Sequence, residues 1–459
     1  MITQLTIDGF RSLSHFDMSI QPGLNILVGP NGSGKTNIVS FLQFLSYISN
    51  YPLAEAVTKA GGAGAVFQKI GSRQYRKGLT ASVEGSYDYA RDRYRHREPT
   101  RRSPTTSTIH YVFTFELSAS PELDVVIYQT QSLRAWKTQA GRRHRPDTAP
   151  DIHIRVDAQE EAEPILTIHS LAVDKFDIAI GISPSQRGEK PEQLADALRH
   201  FLSRSGPLEE PIFQRLIHVI SEFDNIRYDF TGGEIFNVIP SQVRLPEDSA
   251  KPPIIQSDGS GLAPTLYALQ RNVLRLSPSR AFSFVRRVLP SGTYPQIIRY
   301  LQTVNETIVS LNVINDPFDN RLKVGVGIIG EEGEIELPFS SMSDGTVKWA
   351  SLITAILTYE TIFAIEEPEN FLHPLMQREI LNIMRENVQR RGGNSFVIMT
   401  THSETLLNAA DPNEVVVVSI SNGITRANRP PDAESLRDQI QRTGFGLGYF
   451  YISGALDHA

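Results

Sequence analysis

The sequence predicts an α/β fold: a phosphate-binding core of strands and helices, an antiparallel β subdomain and a helical insertion. Three observations carry this. Residues 24–28 read as a buried strand; Gly29-Pro30-Asn31-Gly32-Ser33-Gly34-Lys35-Thr36 follows; then Ile38, Val39, Phe41, Leu42, Leu45 and Ile48 recur at helical spacing. Residues 66–168 are mostly β-patterned, with no helix-period stretch among them. Finally, an apolar run at 361–365 delivers Glu366 and Glu367, and after a helical stretch a second apolar strand ends at Thr401-His402-Ser403.

Taken in order, Gln4-Leu5-Thr6-Ile7 alternates as a half-buried strand does, and Gly9-Phe10-Arg11-Ser12-Leu13 follows it. A second strand at 16–20 ends at the turn residues Gln21-Pro22-Gly23, and the third leads into the glycine-rich loop. There, unpaired N–H groups and the positive end of a helix dipole would face a polyphosphate, with glycines letting the backbone curl round it. Lys35 would neutralise the β- and γ-phosphates, and Thr36 would place its hydroxyl on Mg²⁺. Gly61-Gly62-Ala63-Gly64 makes a turn before Val66-Phe67-Gln68. Strands are expected at 79–85, 108–117, 125–133, 152–156 and 165–168. Helices are expected at 193–202, 211–223 and 262–272, with proline joints at Pro240, Pro246 and Pro252-Pro253. Strands return at 322–329 and 335–337, joined by Gly330-Glu331-Glu332-Gly333 as a hairpin. The expected divisions are 1–172, 173–310 and 311–459: an N-terminal lobe with the loop and β subdomain, a mainly helical insertion, and a C-terminal lobe.

Composition narrows the function classes. A net charge of −6 argues against a protein coated in nucleic acid, though not against a local basic patch. Without cysteine there is no disulfide, thiolate catalysis or cysteine-ligated metal. The first residues lack the pattern of a secretory leader, and no apolar run reaches the ~18 residues that span a bilayer, so the expected location is cytoplasmic and no membrane partner is expected. Two basic runs stand out: residues 91–102, with Arg91, Arg93, Arg95, Arg97, Arg101 and Arg102, and Arg142-Arg143-His144-Arg145. Arginine interleaved with Tyr94 and His96 suits phosphate contacts and base stacking; a solvated or protein-docking loop is the alternative.

Ser343-Asp344-Gly345-Thr346 precedes a helix-period run, and a serine and glycine at a helix start can form a second anion site or simply a cap. Successive strand residues point to opposite faces, so the two acids that end the next strand need different jobs. Glu366 would serve Mg²⁺ directly or through water, and Glu367 would orient or deprotonate an attacking water. His402, placed after a strand, is suited to sensing a γ-phosphate.

These residues together resemble the P-loop ABC-type ATPase heads of the RecF, SMC and OLD relatives, and most closely the single-chain ATPases grouped as AAA_21. The likeness rests on Gly9-Phe10-Arg11-Ser12, the loop from Gly29 to Thr36, Ser343-Asp344-Gly345-Thr346, the run from Glu366 to Pro374, Thr401-His402-Ser403 and the tail from Gly446 to Gly454. It implies ATP and Mg²⁺ as cofactors and hydrolysis of ATP to ADP and phosphate. It also implies a head-to-tail pair of subunits, with ATP held between the loop of one (Asn31, Gly32, Ser33, Gly34, Lys35, Thr36, Asn37) and Ser343 and Gly345 of the other. Gln68 corresponds to the Q-loop residue, a nucleotide and metal contact alongside Thr36 and Glu366, and Arg11 to a nucleotide contact. Glu367 and His402 take the catalytic roles.

The departures are informative. The acid before the catalytic glutamate is Glu366, where the wider family has aspartate. Long heptads are missing, and the short tail after His402 leaves no room for the nuclease domain of OLD proteins. No Asn-Lys-x-Asp appears; Asp174-Lys175-Phe176-Asp177 has the wrong first residue, so guanine is not favoured. Two purposes fit: an ATPase sensor or scaffold holding an effector such as a nuclease or toxin, as in the antiphage PARIS and Septu systems it resembles in size and layout, or a RecF-like ATPase acting on DNA through its arginine loops. The acidic balance and the missing nuclease favour the first.

Overall fold

The computed structural model describes all residues except 73, 91–105, 121–124, 140–147, 160–161, 173–174, 177, 179–195, 202–208, 232–233, 272–291, 317, 360–363, 391–394 and 458–459. Both basic runs, the start of the expected acidic strand at 361–363 and parts of the expected helix at 193–202 therefore lie outside the described residues. The chain packs as two compact units, each discontinuous in sequence: Met1–Pro22, Pro30–Gly233 and Val418–Asn428 form the first, Gly23–Gly29, Glu234–Val417 and Arg429–Ala459 the second.

The first unit is built on an antiparallel sheet. Its strands are β1 (Ile2–Asp8), β2 (Phe16–Ser19), β4 (Gly78–Ala90), β5 (Thr106–Ser120), β6 (Val125–Gln139), β7 (Ile152–Gln159) and β8 (Ala162–Leu171), in the order β2-β1-β4-β5-β6-β7-β8. Strands β4 to β6 run well past the lengths expected from sequence. Gly85, which reads as a strand end, lies inside β4 because a Cβ there would come within 2.6 Å of Cε1 of Tyr111. The space lets the Tyr111 hydroxyl donate to Asp229 at 2.9 Å. Phe113, Phe213 and Phe230 pack edge-on and tilted at 4.9–5.9 Å to close this core. The expected helix at 211–223 breaks up: Ile212–Leu216 is α-helical, and a 3-10 turn, Ser221–Phe223, follows. The helix Lys35–Asn50 buries Ile38, Val39, Phe41, Leu42, Leu45 and Ile48, the apolar stripe predicted by its spacing, and Phe44 with them.

The second unit holds a parallel sheet, ordered β16-β3-β15-β14-β9: β3 (Gly23–Val28), β9 (Ile235–Phe236), β14 (Ala364–Glu366), β15 (Phe396–Thr401) and the first half of β16 (Val415–Ser421). Its apolar strands read as continuous runs because both faces are covered. The rest of β16 belongs to the first unit, with β17 (Ile424–Asn428). A second, antiparallel sheet in the second unit orders β10 (Glu247–Asp248), β12 (Arg321–Gly330) and β11 (Ile308–Asp316), with β13 (Gly333–Pro338) paired to β12; Gly330 opposite Gly333 is the expected hairpin. Helices Asp344–Thr358 and Pro374–Arg390 contribute Trp349, Leu352, Ile353, Ile380, Leu381 and Met384 to its core. Among the described residues no helix is long and apolar enough to cross a membrane.

Candidate functional site

In the first unit the loop after β3 wraps tightly. Gly32 and Gly34 hold φ of 80° and 102°, a region that only glycine enters without strain. At Gly34 there is a second reason: a Cβ would come within 2.8 Å of Thr425 Cγ2 on β17. Thr425 is tied to this spot, its hydroxyl donating to the Ser33 carbonyl at 3.2 Å, its N–H to Ser12 O at 2.9 Å. The Ser12 hydroxyl shares a hydrogen bond with Thr425 Oγ1 at 2.6 Å and accepts one from Asn37 Nδ2 at 2.7 Å. Neither Thr425 nor Ser12 stood out from sequence as a part of the loop's scaffold: Thr425 lies far downstream, and Ser12, though within the motif Gly9-Phe10-Arg11-Ser12, carries no local sign of a contact to the loop.

The loop fits an anion. Helix Lys35–Asn50 begins at Gly34 with no side-chain cap and no acid in its first turn, so its dipole is not offset locally. Asn31, Gly32 and Thr36 are exposed, Ser33 Oγ is buried without a partner among the described residues, and Lys35 donates to Pro30 O at 3.1 Å. Upstream of the loop, Arg11 (φ 47°) is held by bonds from Nε to Ala65 O at 2.7 Å and from Nη1 to Ser40 Oγ at 2.8 Å. Burial lowers the pKa of the Arg11 guanidinium from its ordinary value. Arg11 and Gln68 line one cavity of about 380 Å³ together with Ser12, Gly64, Phe67 and Gly423.

In the second unit the register levels three strand ends. Val28 pairs with Thr401, Leu27 with Thr400, and Thr400 with Glu366, so the carboxyl ends of β3, β15 and β14 share one edge, where ligands of open α/β sheets bind. The chain runs on from β3 into the glycine loop, from β14 into Glu367 and from β15 into His402. Glu366 is half-buried at its strand end. Glu367 sits at φ 41°, its N–H donating to Thr400 O at 3.0 Å, its Oε2 accepting from Asn370 at 3.0 Å. A non-glycine residue in that region is strained, a feature that concentrates at active sites.

Glu369 emerges as a central residue with no role assigned from sequence. It is buried; its Oε1 accepts from Thr401 Oγ1 at 2.7 Å and His402 N–H at 2.9 Å, and its Oε2 has no partner among the described residues. His402 Nδ1 lies 3.7 Å from Glu367 Oε1 and 3.5 Å from Glu369 Oε1, so Glu369 anchors the backbone that presents the histidine. Ser343 caps helix Asp344–Thr358, its hydroxyl accepting from Thr346 N–H at 3.2 Å, and Gly345 lies in the first turn. Arg244 braces this cap, pairing with Asp344 at 2.5 Å and donating to Met342 O at 2.7 Å.

Two family models match the chain: one described as an AAA ATPase domain over residues 1–74, the other as an AAA domain, putative AbiEii toxin, type IV toxin–antitoxin system, over residues 211–408. The first span contains Arg11, the glycine loop and Gln68; the second contains Ser343, both acids and His402. Over these two spans the chain is similar to AAA-type ATPase domains. It is 37% identical over 54 residues to the DNA replication and repair protein RecF of Renibacterium salmoninarum, 12% of this chain and 14% of that protein. With RecF of a Nocardioides species it shares 30% identity over 105 residues, 22% of this chain and 24% of that one. The matched stretches thus span less than a quarter of these relatives' length. Among solved structures, the SMC head domain with an extended coiled coil from Pyrococcus furiosus, bound to the C-terminal domain of ScpA, covers 96% of this chain and 99% of its own at 12% identity and a TM-score of 0.44. The SMC head domain from Thermotoga maritima has a TM-score of 0.37 at 12% identity, covering 93% of this chain and 98% of its own.

Proposed function

We propose that this protein binds ATP at the carboxyl edge of its parallel sheet, hydrolyses it, and uses the cycle as a switch that controls a separate effector protein, such as a nuclease or toxin, in bacterial antiphage defence. The observation that carries the ATPase reading is the register that levels Val28, Thr401 and Glu366 and so starts the glycine loop, the His402 segment and the Glu367 turn from one edge. Lys35 and the helix N-terminus bind the polyphosphate; Asn31, Gly32, Ser33, Gly34 and Asn37 shape the cradle. Arg11 and Gln68 line the side of the nucleotide. Thr36, Glu366 and Gln68 are the residues that would hold Mg²⁺, which would neutralise charge on the phosphates. Glu367 takes the proton of the attacking water, and His402 orients at the γ-phosphate. Ser343 and Gly345 act on the ATP of a second copy, placed head to tail.

The effector reading is supported by the toxin–antitoxin description of the matched family model and by the acidic balance of the chain. A second reading, action on DNA, is supported by the RecF matches. Lys35→Ala tests the site: ATP binding measured by calorimetry is lost, because polyphosphate charge then goes uncompensated. Unaltered affinity overturns the assignment of this loop. For the purpose, duplex DNA that stimulates turnover favours the RecF-like reading, whereas co-purification with the product of a neighbouring nuclease or toxin gene, without DNA stimulation, favours the effector reading.

A further inference from the structure

Helix Asp344–Thr358 and the turn after β14 interlock at two points within the second unit. Gly345 packs against the Phe371 carbonyl, where a Cβ would lie 2.7 Å from the oxygen. One helical turn on, Lys348 is 1% exposed, donates from Nζ to the Glu367 main-chain carbonyl at 3.0 Å, and lies 5.9 Å from the centre of the Phe371 ring. Glu367 and Phe371, with φ of 41° and 69°, are the two left-handed residues of this turn, and both meet the same ammonium. A buried cation costs several kcal/mol unless well compensated, and an apolar side chain of equal length would pack there without that cost. The lysine's use is therefore in its charge and its bond.

Given the ATPase reading above, on which this rests, we propose that Lys348 is a positioning residue for hydrolysis: it fixes the turn that presents Glu367 and, as part of the helix capped by Ser343, makes the aim of Glu367 depend on where that helix sits. A partner's ATP drawn onto Ser343 would shift the helix by its N-terminus, and Lys348 carries that shift to the Glu367 backbone. The carboxylates of Glu367 and Glu369 face the ammonium, with His402 beyond them. Burial pulls Lys348 down to about 8, the two carboxylates resisting.

The experiment compares wild type, Lys348→Met and Lys348→Arg for ATP affinity, kcat, KM and the pH dependence of kcat. Lys348→Met binds ATP within ~2-fold of wild type but loses at least ~10-fold in kcat at unchanged KM, as expected when a reacting group is misplaced. Lys348→Arg restores most of the rate. Wild-type kcat falls as pH passes about 8, where the ammonium loses its proton, and that fall is absent in Lys348→Arg because a guanidinium stays charged. Wild-type kcat in Lys348→Met, or equal impairment of both variants with the alkaline fall unchanged, overturns the proposal. If Lys348→Met does not fold, the pH profile of Lys348→Arg decides alone. A wild-type protein that binds ATP without turnover overturns the ATPase reading and this inference with it; an active wild type with an unimpaired Lys348→Met overturns only the inference.

Discussion

At the scale of single residues, the glycine loop separates two demands that sequence merges. Gly32 and Gly34 share a left-handed backbone, so alanine at either incurs similar strain. Only Gly34 also faces Thr425; the space beside Gly32 is open. Gly34→Ala therefore adds an overpacking cost of ~1–3 kcal/mol on top of the strain, and its melting temperature should fall clearly below that of Gly32→Ala. Equal melting temperatures would show that the Thr425 contact is unimportant. The motif made both glycines legible, but not the difference between them, because the partner strand lies some four hundred residues downstream and nothing in the local pattern points to it. Glu369 was hidden for a similar reason: its acid looks like one more charge after two others, and only the fold turns it onto Thr401 and His402.

Elements were legible where one face is buried against a core. The loop helix, the hairpin at Gly330–Gly333 and the strand ending at Thr401 follow periodicities that burial imposes directly. What periodicity missed were elements made by distant partners. Strand β10 is two residues long and exists through pairing with Leu322 and Arg321. Its Glu247 is buried and caps helix Leu262–Gln270 from outside, Oε1 accepting from Gly261 N–H at 2.5 Å, Oε2 from Ala263 N–H at 3.1 Å. Two otherwise unpaired donors depend on one carboxylate, so Glu247→Ala is expected to destabilise the second unit by ~1–3 kcal/mol, read as an earlier thermal transition. An unchanged transition would mean that water replaces the cap freely. The extension of β4 past Gly85 belongs to the same class, since the glycine that ends the strand in sequence makes room for Tyr111 in space.

For the whole molecule, the far separation in sequence between the glycine loop and Ser343 matters only if two copies share their sites. Turnover should then rise faster than linearly with protein concentration until the dimer saturates. Ser343→Arg should bind ATP but not hydrolyse it, and mixing it with Lys35→Ala should restore partial activity, since one composite site then has an intact loop and an intact signature. No recovery from subunits shown to associate would mean that the sites are not shared or act only together. The central claim, that Glu367 is the base of an ATP-hydrolysing site, is tested most directly by single-turnover hydrolysis in Glu367→Gln, with ATP binding measured on the same sample. Binding should persist while hydrolysis slows by at least ~10²-fold. Normal hydrolysis in Glu367→Gln, with the loss appearing instead in Glu366→Gln, would contradict the assignment of the two acids.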